Sequence, residues 1–90
     1  MENMETDNIF SVGDWLIPSD RADLIDHMVY RFDSITKYPD YFEPFYYLTN
    51  YYLFEDTQKI VTRQISYSQS EINETFIKVE KPEWVDKAIK

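Results

Sequence analysis

The sequence contains no cysteine, a single glycine and a single histidine. Without cysteine there is no disulfide, no thiolate metal ligand and no thiol nucleophile, a composition suited to a reducing cytosol. One glycine cannot build a glycine-rich nest, so phosphate-cradling loops are excluded. No apolar run approaches the roughly 20 residues that a membrane-spanning helix requires. The N-terminus lacks a basic stretch followed by an apolar run and a small-residue cleavage site. The expectation is a cytoplasmic protein with no membrane association, for which the triplet Asn73-Glu74-Thr75, a formal glycosylation acceptor, carries no meaning.

Basic residues are scarce over most of the chain. Residues 1–58 hold twelve acids against three bases, residues 59–90 hold five against six, and the formal net charge is -8. Such a field repels phosphate backbones and steers basic surfaces toward the protein before contact, besides keeping it soluble.

Aromatic residues are abundant, with 8 Tyr, 6 Phe and 2 Trp in 90 residues. A chain of this length fits one domain, and these rings with the aliphatic residues suffice for one core without a metal or a crosslink. Met1 to Asn8 is polar and aperiodic, so residues 1–8 read as a frayed leader and 9–90 as a single domain.

Phe10 to Ile17 reads as a strand interrupted by Gly13, which marks a bulge, a tight bend or a positive φ. Pro18-Ser19-Asp20 breaks it, with Ser19 as a helix N-cap. Leu24, Ile25, Met28, Val29 and Phe32 then recur at helical spacing, which predicts an amphipathic helix over 20–31. The rival reading is a loop feeding a strand from Val29 to Ile35. Pro39 and Pro44 forbid a regular helix in the connection 34–44, where Tyr41 and Phe42 either pin the loop to the core or stand exposed for recognition. Phe45 to Phe54 carries the strongest strand signal, with neither face cleanly polar, as in a central strand or two strands hinged at Thr49-Asn50. Glu55 to Gln58 supplies a turn and Lys59 to Tyr67 returns, giving a hairpin over 45–67. Ser68 and Glu71 match a capping box for one or two turns of helix. Phe76 to Glu80 alternates as a last strand, and Pro82 opens a closing helix with an apolar stripe of Trp84, Val85, Ala88 and Ile89. Trp15 and Trp84 are expected in the core.

The fold class that follows is α+β: a small curved antiparallel sheet of three to five strands, one amphipathic helix after the first strand, and a short C-terminal helix. The segment Val12-Gly13-Asp14-Trp15-Leu16-Ile17 resembles the opening strand of small SH3-like barrels, in which a Gly-Asp pair turns the chain into a strand. That resemblance implies a rolled, highly curved sheet of SH3-like barrel type.

No constellation for catalysis stands out, and a non-catalytic protein is expected. His27 has Asp23 and Arg31 four residues to either side, but one imidazole with no thiolate falls short of the three or four convergent groups of a metal site. On a polar helix face it reads as solvent-facing. The carboxylate pairs Glu55-Asp56 and Glu71-Glu74 read as hydrated neighbours rather than acid and base held across a cleft. No cofactor is expected. Nine of the 17 residues from Tyr38 to Phe54 are aromatic and could stack bases. The surrounding acids oppose direct DNA or RNA binding, for which Lys59, Arg63, Lys78, Lys81 and Lys87 are the only footprint.

Two functional expectations follow. In size and charge the chain resembles small acidic inhibitors encoded by bacteriophages and mobile elements, which implies a partner with a basic surface such as a nucleic-acid-processing enzyme. The residues expected to bind it are the acids Asp20, Asp23, Asp26, Asp33, Asp40, Glu43, Glu55 and Asp56, with Tyr38, Tyr41 and Tyr46 as ring anchors. The alternative is a self-assembling structural or accessory subunit, a homo-oligomer included, with a tyrosine-rich interface, because tyrosine buries a large rigid surface and keeps a polar tip.

Overall fold

The protein is described from a computed structural model covering residues 10–89, with side chains to Lys87. The leader expected over 1–8 and the side chains of Ala88 and Ile89 lie outside the described residues. Five strands form one antiparallel sheet: β1 (Trp15–Pro18), β2 (Met28–Thr36), β3 (Phe45–Phe54), β4 (Lys59–Ser68) and β5 (Phe76–Val79), in the order β4-β3-β2-β1-β5. A 3-10 segment (Ser19–Leu24) joins β1 to β2, helix α1 (Gln69–Thr75) joins β4 to β5, and a 3-10 turn (Glu83–Val85) leads into α2 (Asp86–Ile89).

The aromatic run of β3 is a single unhinged central strand. It pairs with β4 at ten consecutive positions, from Phe45 opposite Ser68 to Phe54 opposite Lys59. On its other side it pairs with β2, where a bulge at Asp33 shifts the register between Phe32 and Ser34. Alternation explains the doubly apolar pattern. Tyr46 and Leu48 join Phe32, Tyr30, Leu16, Ile72 and Phe76 in the main core, while Tyr51 on the opposite face meets Val29 and Val85 in a second, smaller one.

The amphipathic helix expected over 20–31 is not formed. Ser19–Leu24 is a short 3-10 segment interrupted by Arg21 at φ -124°, ψ 21°, and Ser19 makes no cap; Pro18 occupies that position without a side-chain bond. Met28 onward is strand, in line with the rival reading. The same apolar residues satisfy both periodicities locally, but as a strand Met28, Tyr30 and Phe32 enter the main core while Val29 enters the second, and their backbone pairs with β3.

The barrel implied by the opening segment is also not formed. β4 and β5 are the two ends of an open sheet. The sheet nevertheless curls, because Tyr67 of β4 and Phe76 of β5 bring their rings to 5.3 Å, and α1 touches both strands with Ile72 fully buried beneath it. Helix α1 thus covers the main core between the two end strands through Ile72.

The strand expected from Phe10 to Ile17 forms only at Trp15–Pro18, because the chain turns at Gly13 before it, and the closing helix after Pro82 is a 3-10 turn followed by the four residues of α2. The turn and capping signals are realised. Gly13 takes φ +100° in a turn, and its N–H donates to Phe32 O at 2.8 Å. The capping box is complete: Ser68 Oγ accepts from Glu71 N, and Glu71 Oε1 accepts from Ser68 N at 3.0 Å. Trp15 and Trp84 are only half-buried, flanking the second core, with Trp84 Nε1 donating to Ile25 O at 3.0 Å. No helix among the described residues is long and apolar enough to cross a membrane.

Candidate functional site

The antiparallel ladder sends the connections between strands to opposite ends of the molecule, and the eleven residues expected to form one binding face are divided accordingly. One end carries the β2–β3 loop and the start of α1. The other carries the 3-10 segment and the β3–β4 turn. Asp33 lies between them.

The β2–β3 loop holds a connected group of rings. Tyr41 and Phe45 meet edge to face at 5.2 Å between centroids, Tyr38 and Phe45 at 5.9 Å, and Tyr38 and Tyr41 at 6.2 Å. Tyr38 also shares a phenol–phenol hydrogen bond with Tyr47, which raises the Tyr47 phenol above its ordinary value of 10.0. A turn in which Tyr41 N–H donates to Tyr38 O at 3.2 Å sets this arrangement. From the far side the loop is tied to α1: Ser70 N–H and Oγ donate to Glu43 at 2.7 and 3.1 Å, and Gln69 N–H donates to Pro44 O at 3.1 Å. Between the two anchors Phe42 is wholly exposed, and Tyr41 is largely so. Asp40 is exposed beside them.

The opposite end is acidic. Leu53 N–H donates to His27 O at 2.7 Å, and His27 Nδ1 lies 3.3 Å from Glu55 Oε2, so the corner after the 3-10 segment abuts the hairpin turn. This brings Asp26 into the neighbourhood of Glu55 and Asp56, with Asp20 and Asp23 on the preceding segment, all exposed. His27 is therefore half-buried against a turn rather than solvent-facing on a helix. Together with Tyr52, Leu53, Phe54, Glu55, Asp56 and Thr57 it lines an open depression of about 480 Å³.

Three expected residues are committed elsewhere. Tyr46 is fully buried and stacked on Phe32, so it is a core ring and not an anchor for a partner. Asp33 accepts from Arg31 Nε at 2.7 Å and from Thr49 Oγ1, while Arg31 Nη1 donates to Tyr51 Oη at 2.7 Å. The hydrogen bond to Asp33 holds the Arg31 guanidinium above its ordinary value. Glu43 positions the aromatic loop through Ser70.

Phe45 and Tyr47 complete the ring cluster although they were not among the expected anchors, and Phe42 stands wholly exposed beside it, as one of the two readings of the 34–44 connection had it. The signal for Phe42 was its place between Pro39 and Pro44; nothing in the alternation of β3 singled out Phe45 and Tyr47. Of the basic residues, Lys78 pairs with Asp14 at 3.5 Å and Lys81 with Asp86 at 2.7 Å, while Lys59 and Arg63 lie on β4. Among the described residues no group of three or more His, Cys, Asp or Glu could hold a metal ion.

A small domain with an exposed, tyrosine-rich ring cluster suited to protein contact is what the geometry provides, and no protein-family model, curated protein or solved structure matches the chain.

Proposed function

We propose that this chain is a non-catalytic protein-binding domain, an accessory subunit that docks through the exposed Phe42 and the neighbouring cluster of Tyr38, Tyr41, Phe45 and Tyr47. The observation that carries this reading is the complete exposure of Phe42 at the apex of a loop held on both sides. An isolated exposed ring is common on protein surfaces, but one presented by a pre-ordered aromatic base loses little freedom on binding. A rigid aromatic anchor of this kind fits a hydrophobic pocket on a partner.

The test compares wild-type bait with Phe42→Ala in quantitative pull-downs from the native host. A specific partner should be retained by the wild type and reduced about tenfold or more by the variant, as for an interface hot spot. Equal retention, with the fold intact by circular dichroism, would reject the cluster as the docking surface.

A second reading is supported by the gathering of Asp26, Glu55 and Asp56 at the corner joined by the Leu53–His27 bond. In it the acidic end meets a basic, nucleic-acid-handling surface and inhibits that partner. Replacing Asp23, Asp26 and Asp56 by lysine should then weaken binding and flatten its salt dependence. A partner whose affinity stays unchanged, or which nucleic acid does not displace, speaks against this reading.

A further inference from the structure

The ten-residue strand β4 forms one edge of the sheet, and among the described residues no strand pairs with its outer side. The ladder identifies which of its backbone groups face outward. Gln69 N–H donates to Pro44 O one step beyond the Phe45–Ser68 pair, so the odd-numbered residues of β4 bond to β3. In an antiparallel ladder such pairs alternate, which leaves the N–H and C=O groups of Ile60, Thr62, Gln64 and Ser66 pointing away from the sheet. Ser68 fits the same alternation, because its outward N–H is taken by Glu71 Oε1.

Protein edges are normally blunted by proline, bulges, short length or inward charges. β5, the opposite edge, has only four residues and includes Lys78. β4 has no proline, pairs with β3 without a bulge, and carries one charge, Arg63, between Ile60 and Ser68. It also belongs to the part of the chain where bases offset acids.

We propose that β4 pairs antiparallel with β4 of a second copy, with Gln64 on the two-fold axis, so that two five-stranded sheets join into one. This register sets Thr62 against Ser66, Val61 against Tyr67 and Arg63 against Ile65, and keeps Arg63 away from its own mate. About six main-chain hydrogen bonds form across the axis. Charge complementarity favours the same register. Lys59 of each copy falls opposite Gln69 of the other, beside the first turn of α1 with Glu71. The contact is isologous and therefore closed at two copies. It uses the outer edge of β4, whereas the rings of Phe45 and Tyr47 stand on the neighbouring β3 opposite Ser68 and Ser66, and it does not depend on the docking role of Phe42.

The absence of cysteine provides a direct test of both pairing and register. Gln64→Cys places two sulfurs on a hydrogen-bonded pair whose Cα atoms stand about 5.5 Å apart, within disulfide reach. Mild oxidation with diamide should convert it to a covalent dimer. Thr62→Cys, whose two copies would sit about 13 Å apart, should stay monomeric on a non-reducing gel. In sedimentation the wild-type mass should double from 10.9 kDa as concentration rises, and Phe42→Ala should behave identically. Gln64→Pro and Gln64→Lys should each weaken dimerisation, the first by roughly tenfold or more through loss of the axial hydrogen bonds. A wild-type monomer at every concentration to the high micromolar range overturns the proposal and leaves the edge to a strand of different sequence. Equal crosslinking at positions 62 and 64 overturns the register.

Discussion

The ring of Tyr46 lies flat on that of Phe32, 4.6 Å between centroids and 9° between planes, with its hydroxyl accepting from Gln69 Nε2 at 3.2 Å. β2, β3 and the start of α1 are thereby joined through one side chain. Tyr46→Ala should cost about 3–5 kcal/mol, the range for removing a large buried ring. Tyr46→Phe should cost about 1 kcal/mol. Urea unfolding measures both, and an alanine variant as stable as wild type would mean that the ring is not in the core.

Asp33 is an acid whose value is structural. Asp33→Ala removes the acceptor of Arg31 and Thr49, and should destabilise by about 1–2 kcal/mol, with the charge component reduced by solvent because Arg31 is partly exposed. The loss should be insensitive to any partner. A thermal melt matching wild type would show the network to be energetically idle.

The phenol pair makes a prediction about pH. The Tyr47 phenol is raised chiefly by its hydrogen bond with Tyr38, so the contribution of that bond is present below the unfolded value of 10.0 and is lost as pH rises through the folded value above it. Titration of phenolate absorbance should show Tyr47 ionising late, together with Tyr30, whose phenol is raised by burial. Tyr38→Phe should return Tyr47 toward 10.0, and an unchanged curve would place the two hydroxyls apart.

Phe42 should be the reverse of Tyr46. Its ring is outside the core, so Phe42→Ala should change unfolding free energy by no more than about 0.5 kcal/mol. A large loss of stability would show that the loop packs differently and would withdraw its ring from the docking surface.

The hairpin, the capping box and the positive φ of Gly13 were legible in the sequence because their causes are local. Rings and β-branched residues alternate through Phe45 to Phe54, a serine stands three residues before a glutamate, and one glycine precedes a turn. Burial of Tyr46 was not legible, because an alternating aromatic strand offers both faces as candidates and only the position of β2 and α1 distinguishes them.

By itself the sequence determined an acidic, cysteine-free α+β chain with an aromatic hairpin at its centre, since composition and short-range spacing do not depend on what the chain later touches. The tertiary structure alone decided that residues 28–32 are strand, that the sheet stays open, and that the rings of Tyr38, Tyr41 and Phe45 stand at the end opposite Glu55 and Asp56. The physical reason is pairing. Apolar spacing at Leu24 to Phe32 fits helix and strand alike, and the outcome follows from the hydrogen bonds and two-sided burial that β3 offers at long range.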